Sequence, residues 1–216
     1  LGDVYKRQPP QIDKIVKARN TESIVDQIKD EFISDNLKFN LTPPNPIIIV
    51  GSKGAGKTTF INYLFSKKFG LEANHPHVYI DFRKYSGTKN NFENYIYNDI
   101  LEQVYNQYEN LDLCSQKSLC SIYHREIRRN NQGIWKYDLE NNNDNYQSKL
   151  SIFLEDRLKD SESHFFKLSD HLIKGRHIRL CIVIDNADQF DSEIQKTVFL
   201  FAQSLNKKGN ISIIIA

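Results

Sequence analysis

One segment constrains the fold of this chain more than any other, and it reads Gly51-Ser52-Lys53-Gly54-Ala55-Gly56-Lys57-Thr58. It fits the pattern G-x-x-x-x-G-K-[ST], the Walker A motif, at every fixed position. The β-branched run over 47–50 before it predicts a strand covered on both faces, and the apolar spacing after it predicts a helix over about 57–68. A strand, a glycine-rich turn and a helix in this order are typical of a phosphate-binding α/β protein.

The chemistry of this loop follows from its residue types. Its glycines permit the backbone to wrap a phosphate with N–H groups, and the next helix presents the positive end of its dipole. Lys57 is expected to reach the β- and γ-phosphates, the Thr58 hydroxyl to ligate Mg²⁺, and Thr59 to contact the α-phosphate. We therefore predict nucleotide binding by residues 51–59, with Mg²⁺ as cofactor. The guanine-reading pattern Asn-Lys-x-Asp does not occur in the sequence, which favours ATP.

A second apolar run ends in a carboxylate and reads Leu180-Cys181-Ile182-Val183-Ile184-Asp185. Downstream of a Walker A motif this is the Walker B form, in which Asp185 holds Mg²⁺ directly or through water. Many ATPases of this broad class place Glu next, to orient the attacking water, but this chain has Asn186, which cannot act as a base. Asp188 is the nearest other carboxylate, and it either orients water or caps the helix that begins near Asp191. The predicted catalytic residues are Lys57, Asp185 and Asp188.

Hydrophobic periodicity along the chain alternates between strands and helices. Strands are predicted over 47–50, 77–82, 179–184 and 211–215, and helices over about 22–36, over 57–68 and beyond Asp191. A long, mostly helical stretch over about 92–175 lies between the second and third strands, and its Asn-rich part over 130–145 is predicted to be an exposed loop. The expected fold is α/β: a three-layer P-loop NTPase with a mostly parallel sheet, a helical insertion between the second and third strands, and truncation at the fourth strand.

Both ends of the chain suggest a piece of a longer protein. The segment Asp3-Val4-Tyr5-Lys6-Arg7-Gln8 looks like a translated sequencing adaptor, so residues 1–8 are excluded from the fold prediction. The chain contains no Met and stops within or just after the strand over 211–215. We therefore expect residues 9–216 to be an incomplete P-loop NTPase domain that carries the helical insertion over about 92–175.

Composition excludes several classes of protein. Lys and Arg number 29 and Asp and Glu number 27, so the formal net charge is +2, which excludes a strongly basic arm or an acidic tail. The longest apolar runs, over 180–184 and 198–202, are far shorter than the roughly 20 residues that a membrane helix needs, so no membrane partner is predicted. Three cysteines are too few for a disulfide framework, so a reducing cytoplasm is the expected location.

Two weaker signals concern charged side chains. A basic patch lies near three aromatic residues, a combination that can bind single-stranded nucleic acid, although a solvated helix face is the favoured interpretation. Its members are Lys117, Arg125, Arg128, Arg129 and Lys136, with Tyr123, Trp135 and Tyr137. Asp81 and Arg83 follow the second strand, where catalytic groups gather in such sheets, and a structural ion pair is the favoured interpretation.

The second motif also carries a family resemblance. The segment Ile182-Val183-Ile184-Asp185-Asn186-Ala187-Asp188-Gln189 resembles the Walker B segment of STAND signalling NTPases, which are related to AAA+ ATPases. Upstream, Arg19-Asn20-Thr21-Glu22 before a periodic helix is similar to the Arg-Glu box of these families. The resemblance implies that Ile15, Val16 and Arg19 are candidates for contact with adenine. It also implies that the strand over 211–215 lies between the Walker A and Walker B strands, with a sensor position just past Ala216.

The same resemblance implies a regulatory ATPase that binds ATP and switches between two states, and the absence of Glu after Asp185 predicts slow hydrolysis. Sensor and effector domains would lie outside the fragment, and the NTPase domain would self-associate. Two alternatives stay open. One is a DNA-associated AAA+ ATPase of the origin-recognition or transposition-helper type, which the near-zero net charge disfavours because phosphate contacts need Lys and Arg. The other is a nucleotide-binding scaffold without turnover, which the presence of Asn186 in place of Glu keeps open.

Overall fold

The structure is a computed structural model, and it describes residues 45–52, 54–65, 76–85, 92–190 and 192–216. Some predicted features lie outside these residues. They are the helix over 22–36, the candidate adenine contacts Ile15, Val16 and Arg19, the loop residue Lys53, and Asp191.

The described strands form one parallel sheet. They are β1 (Ile47–Ile48), β2 (His77–Asp81), β3 (Cys181–Asp185) and β4 (Ser212–Ile215), in the order β1-β4-β3-β2. Strands β2 and β3 are in register from His77 opposite Cys181 to Asp81 opposite Asp185. Since β4 pairs with both β1 and β3, it separates the Walker A strand from the Walker B strand, which confirms the order that the resemblance implied.

The described helices are α1 (Lys57–Tyr63), α2 (Phe92–Gln107), α3 (Gln116–Ile122), α4 (His124–Gln132), α5 (Lys136–Asn141), α6 (Asn143–Lys159), α7 (Ser161–Arg176) and α8 (Ser192–Gly209). Helices α2 to α7 follow one another between β2 and β3, which confirms the predicted helical insertion. Of these described helices, none combines the length and the apolar character needed to cross a membrane.

Helices cover the two faces of the sheet, and this makes three layers. On one face, Ile61 of α1 packs with Cys181 and Val183 of β3. On the other face, Ile182 and Ile184 belong to a larger core that includes apolar side chains of α2, α7 and α8. Successive residues of a strand point to opposite faces, and all five residues of β3 are buried, so the strand is apolar from Cys181 to Ile184 and ends in the buried carboxylate of Asp185. The predicted three-layer α/β fold is confirmed.

The prediction of a β1 strand buried on both faces is wrong. Only Ile47 and Ile48 form the strand, Ile48 is 53% exposed, and Val50 beyond it is 89% exposed. Ile47 and Ile49 do pack into the core beside α1. Within the described residues β1 lies at the edge of the sheet with β4 as its neighbour, so alternate side chains of an apolar run face away from the core.

Other element boundaries differ from the predictions by one or two residues. Strand β2 ends at Asp81 rather than at 82, because the Asp81 carboxylate accepts a hydrogen bond from the Arg83 backbone N–H (3.1 Å) and starts a 3₁₀ turn. Strand β3 covers Cys181–Asp185 in place of 179–184. Helix α1 ends at Tyr63 and continues as a π-type turn through residue 65, and the remainder of the predicted helix lies outside the described residues.

The predicted loop over 130–145 is also wrong, since α4, α5 and α6 occupy most of it. Two aromatic side chains anchor the segment: Trp135 and Tyr146 are 6% and 9% exposed and meet edge to face. Asn142 caps α6 by accepting a hydrogen bond from the Asn145 backbone N–H (3.1 Å). Asparagine disfavours helix interiors but favours helix starts, so an Asn-rich composition is compatible with short, capped helices.

A buried histidine lies at the centre of the helical insertion. His164 on α7 is 1% exposed; the Tyr123 hydroxyl lies 2.7 Å from its Nδ1, and the Tyr105 hydroxyl hydrogen-bonds its Nε2. A neutral imidazole has one donor and one acceptor nitrogen, so the neutral ring satisfies both hydroxyls. Burial lowers the pKa of His164 to about 4, which keeps the ring neutral at physiological pH.

We expect acid to destabilise the fold through His164. The unfolded chain protonates this residue near pH 6.5, whereas the folded chain does so near pH 4. The unfolded state therefore binds more protons between these values, and stability that is present above pH 6.5 is lost as the pH falls. The loss of unfolding free energy is about 2 kcal/mol at pH 5 and about 3 kcal/mol below pH 4. Urea unfolding at neutral pH and at about pH 5 measures it.

The matched variant for this measurement is His164→Gln, which keeps a donor and an acceptor but cannot titrate. Its unfolding free energy is expected to depend much less on pH than that of the unmodified chain. Burial also lowers the pKa of His77 and His171, so a smaller acid dependence remains in both proteins. An equal acid dependence in the two proteins contradicts the assignment to His164.

Candidate nucleotide-binding site

The Walker A loop and the end of β3 enclose a cleft of about 550 Å³ at the carboxyl edge of the sheet. Its lining consists of Ser52, residues 54–59, Asp185, Asn186, Asp188 and Gln189. Ligands bind in this place in open parallel sheets, because the strand ends and helix starts converge there. Ser52 and residues 54–59 of the predicted loop thus line one cleft. Gly51 does not line it, and its carbonyl faces Lys57. Lys53 lies outside the described residues.

The loop backbone takes a conformation that only glycine adopts at low cost. Gly54 and Gly56 have φ angles of +82° and +85°, in the left-handed region. A Cβ atom at either position would meet no atom within 4 Å, so the backbone angle and not crowding requires glycine there. Gly51 differs, because its Cβ would lie 3.1 Å from the Cβ of Ala55. The result is an open cradle at the start of α1.

Lys57 is held by the loop and by the turn after β3. Its Nζ donates to the Gly51 carbonyl (3.0 Å) and to Oδ2 of Asp188 (2.6 Å). Asp188 lies in the 3₁₀ turn Ala187–Gln189, and its side chain is 45% exposed, against 13% for Lys57. We predicted that Asp188 orients water or caps the next helix. The contact with Lys57 is a third arrangement, which the sequence analysis missed.

Asp185 is 1% exposed and is the most buried charged group of the site. Its Oδ2 accepts hydrogen bonds from the Thr58 hydroxyl (2.6 Å) and from the Tyr79 hydroxyl, and its Oδ1 accepts one from the Asn186 backbone N–H (2.7 Å). The two predicted Mg²⁺ ligands, Thr58 and Asp185, are therefore in direct contact. Burial and the neighbouring carboxylate both raise the pKa of Tyr79, so its hydroxyl stays protonated and donates.

Tyr79 is a site residue that the sequence analysis did not identify. It lies opposite Val183 in the register of β2 and β3, and Val183 and Asp185 point to the same face of β3. Tyr79 therefore faces α1 beside the Walker B carboxylate. Only the order of the strands reveals this, because Tyr79 and Asp185 are 106 positions apart in the chain.

The position after Asp185 carries an amide that is engaged elsewhere. Asn186 has a φ of +63°, and its Nδ2 donates to Oδ1 of Asp81 (3.0 Å). Asp81 also forms an ion pair with Arg83, which confirms the predicted pair. The Nη2 and Nε atoms of Arg83 lie 2.6 Å and 3.1 Å from Oδ2 of Asp81. Hydrogen bonding to Arg83 is the main reason that the pKa of Asp81 lies below its ordinary value. Asn186 thus links β3 to the end of β2.

A comparison of the sequence with models of known families matches residues 22–216 to the KAP family P-loop domain. The order of the described strands, the Walker A loop and the Walker B carboxylate agree with this match. The chain belongs to the KAP family. This match spans both Walker segments and the helical insertion between them, and it identifies a nucleotide-binding P-loop NTPase domain. Comparisons with curated proteins and with solved structures gave no match.

The residues of this KAP domain fit Mg²⁺ and phosphate chemistry. The hydroxyl of Thr58 and the carboxylate of Asp185 are hard oxygen donors of the kind that Mg²⁺ prefers, and they lie 2.6 Å apart. The open left-handed glycines leave room for an anion at the start of α1, and Lys57 supplies a positive charge beside it. The donor set therefore suits a Mg²⁺–phosphate group.

The basic patch of the KAP domain lacks the surface aromatics that a single-stranded nucleic acid would stack on. Tyr123 and Trp135 are 1% and 6% exposed, and they pack into the core of the insertion. Tyr137 is 73% exposed and is the one aromatic of the three that reaches the surface. Stacking needs free ring faces, so this arrangement favours the solvated helix face over the nucleic-acid platform.

Proposed function

We propose that this domain binds ATP with Mg²⁺ and acts as a slowly hydrolysing regulatory switch. The observation that carries the proposal is the contact between Thr58 and Asp185 beneath an open Walker A loop. The residue that follows Asp185 is Asn186 and not a carboxylate, which supports slow hydrolysis. Self-association and sensor or effector domains beyond these residues, which the STAND resemblance implies, belong to the same proposal.

Each residue of the site has a separate task in this proposal. The loop N–H groups and Lys57 bind the β- and γ-phosphates, while Thr58 and Asp185 hold Mg²⁺. Tyr79 keeps the Asp185 carboxylate oriented by its hydrogen bond. When bound, Mg²⁺ neutralises charge on the phosphate oxygens.

Slow hydrolysis is supported by the groups next to Asp185. Asn186 cannot accept a proton from water, and its amide already donates to Asp81. Asp188 is the nearest exposed carboxylate of the site, and it is paired with Lys57. A water molecule at the γ-phosphate would therefore lack a base at the usual position, and Asp188 would become free to take that role only after Lys57 turns to the phosphates.

The Lys57–Asp188 ion pair gives the switch a physical basis. ATP phosphates compete with Asp188 for Lys57, so binding would release the turn Ala187–Gln189. That turn is tied to α8, because the Gln195 side chain donates to the carbonyls of Phe190 (2.8 Å) and Asp188 (3.4 Å). We propose that nucleotide occupancy is transmitted to α8 along this route.

Asp188→Asn is expected to strengthen ATP binding about two- to fivefold, because a partly exposed ion pair contributes about 1 kcal/mol or less. Titration calorimetry with Mg²⁺ and ATP measures the change. The matched control is Asp156→Asn, which removes an exposed carboxylate that lies 3.8 Å from Lys159 on α6. If Asp188 also orients water, the Asp188→Asn protein is expected to bind ATP more tightly and to hydrolyse it more slowly. Weaker ATP binding would contradict the proposed competition between ATP and Asp188 for Lys57.

A single-turnover assay on the chain tests the switch itself. We expect one ATP to bind per chain in a Mg²⁺-dependent way and to be hydrolysed far below the median enzyme rate of about 10 per second, at about one per minute or slower. Turnover at ordinary enzyme rates contradicts the switch. Binding with no phosphate release over hours favours the scaffold without turnover, which the occupied amide of Asn186 also supports.

A further inference from the structure

A second and larger cleft, of about 680 Å³, lies within the helical insertion. Its walls come from α3 and α4 on one side and from α7 on the other, and it shares no lining residue with the nucleotide cleft. The volume is in the range of small-molecule sites. The roles proposed for the nucleotide-site residues do not involve this second cleft.

Cationic side chains outnumber carboxylates around this cleft. The cations are Lys117, Arg125, Lys167, Lys174 and Arg176, and the carboxylates are Asp112, Glu126 and Asp170, so the formal sum of charges is 5 − 3 = +2. For comparison, the whole chain of 216 residues also carries only +2. The formal net charge of the cleft lining therefore equals that of the whole chain, and the remaining residues are formally neutral in sum.

Internal ion pairs leave particular cations available. Glu126 pairs with Lys167 and with Arg157 (3.0 Å), and Asp170 pairs with Lys174. Arg176 donates to the Leu111 carbonyl and to the Ser118 hydroxyl (3.5 Å).

In the described part of the chain, Lys117 and Arg125 form no ion pair, and both are exposed at the cleft. The cleft cations without a carboxylate partner are therefore these two residues and Arg176, and among the described residues Asp112 is a lining carboxylate that forms no ion pair.

A neighbouring cleft extends the same positive surface. This smaller cleft, of about 360 Å³, shares Arg125, Glu126 and Lys167 with the larger one and adds Arg129 and Arg157. His171 reports on the field inside the larger cleft: its pKa is lowered by burial and, after that, by the charges of Arg176 and His124. Burial disfavours any charged form, so only the contributions of Arg176 and His124 have the sign that favours an anion, and Asp170 opposes them.

We propose that the cleft between α3, α4 and α7 binds a small anion that bears two or more phosphate groups, with Lys117, Arg125 and Arg176 as its cationic partners. The hydroxyls of Ser118 and Ser121 line the same cleft and supply neutral donors. The site is concave, and two of its three carboxylates, Glu126 and Asp170, are paired with lysines, so it suits a compact anion. A nucleic-acid strand is less suited, because Tyr123 and Trp135 are buried and offer no stacking surface.

The experiment uses the 216-residue chain with Lys57→Ala, so that the Walker A loop does not compete for phosphate. Tripolyphosphate is titrated calorimetrically at about 0.15 M salt, where surface charges are largely screened. We expect saturable binding of one tripolyphosphate with a Kd below about 1 mM. In the double variant Lys117→Ala/Arg125→Ala, the affinity is expected to fall at least about tenfold.

The matched control is Arg128→Ala/Lys136→Ala, which removes two exposed cations of the same insertion that do not line either cleft. Its affinity for tripolyphosphate is expected to change less than about twofold. All four positions are exposed, so the variants should keep the fold, and thermal unfolding checks this. ATP in the same titration identifies the source of the phosphates: tighter binding of ATP indicates a nucleotide ligand, and equal binding indicates an oligophosphate alone.

Three outcomes would overturn the proposal. The first is no saturable binding of tripolyphosphate up to about 5 mM. The second is an equal loss in both double variants, which indicates diffuse surface charge. The third is a single-stranded DNA oligomer that displaces tripolyphosphate and binds with a steep salt dependence, which indicates a nucleic-acid surface. Each of these outcomes is measured without ATP hydrolysis, so the test of this proposal is independent of the proposed ATPase switch.

Discussion

Replacing Asp185 with asparagine is expected to lower ATP turnover at least about 100-fold, the range found when one electrostatic partner of a transition state is removed. The substitution changes neither size nor shape. It removes the one negative charge of the site that is almost fully buried, at 1% exposure, and leaves Thr58 without an anionic partner for Mg²⁺. Phosphate release measured under single-turnover conditions gives the ratio of the two rates.

Two controls make the result for Asp185→Asn specific. Asp156→Asn removes a carboxylate whose side chain is 68% exposed and does not line the nucleotide cleft, and it should leave turnover unchanged. Thermal unfolding of Asp185→Asn should show that the fold persists, since the amide can still accept the hydrogen bonds from Thr58 and Tyr79. Unchanged turnover in a folded Asp185→Asn protein would place the metal elsewhere and would remove the Walker B assignment.

Lys57→Ala is expected to weaken ATP binding at least about 100-fold, equivalent to about 3 kcal/mol. Lys57 is the cation that the loop itself positions, through the hydrogen bond from its Nζ to the Gly51 carbonyl. Its side chain is only 13% exposed, so a phosphate that reaches it is poorly screened by solvent. Titration calorimetry with ATP and Mg²⁺ measures the affinity directly.

The control for Lys57→Ala is Lys159→Ala, which removes a lysine whose side chain is 76% exposed at the end of α6. Its ATP affinity should match that of the unmodified chain. The removal of Lys57 also frees Asp188, and the double variant Lys57→Ala/Asp188→Asn should therefore bind ATP somewhat better than Lys57→Ala alone. ATP affinity that survives Lys57→Ala would show that the nucleotide binds outside the Walker A loop.

Short segments of the sequence were enough to predict the chemistry of the site. The glycines of residues 51–56, Lys57 and Thr58 are neighbours in the chain, so their residue types and spacing specify a phosphate cradle without help from distant residues. Asp185 was identified from the apolar run before it for a similar reason. The parallel sheet and the helical insertion also followed from local periodicity, and the position of β4 between β1 and β3 followed from the family resemblance.

Exposure within the elements was predicted less well. The run over 47–50 is as apolar as residues 181–184 of β3, yet β1 is a two-residue strand at the edge of the described sheet, and Ile48 is half-exposed. The Asn-rich segment over 130–145 is polar, yet two buried aromatic side chains and a capping asparagine hold it in short helices. Burial depends on which element lies opposite, and neither composition nor periodicity contains that information.

Local residue types thus predicted what the loop can bind, and long-range packing determined which side chains contact it. Lys57 at the start of α1 meets Asp188 in the turn after β3 across 131 positions, and Tyr79 of β2 meets Asp185 at the end of β3 across 106, because these segments converge at one edge of the sheet. The same holds for the cleft between α3, α4 and α7, whose cations come from helices that touch only in the folded chain. A side chain's partner across a sheet or between helices is set by strand order and helix packing, and these arise from the core as a whole.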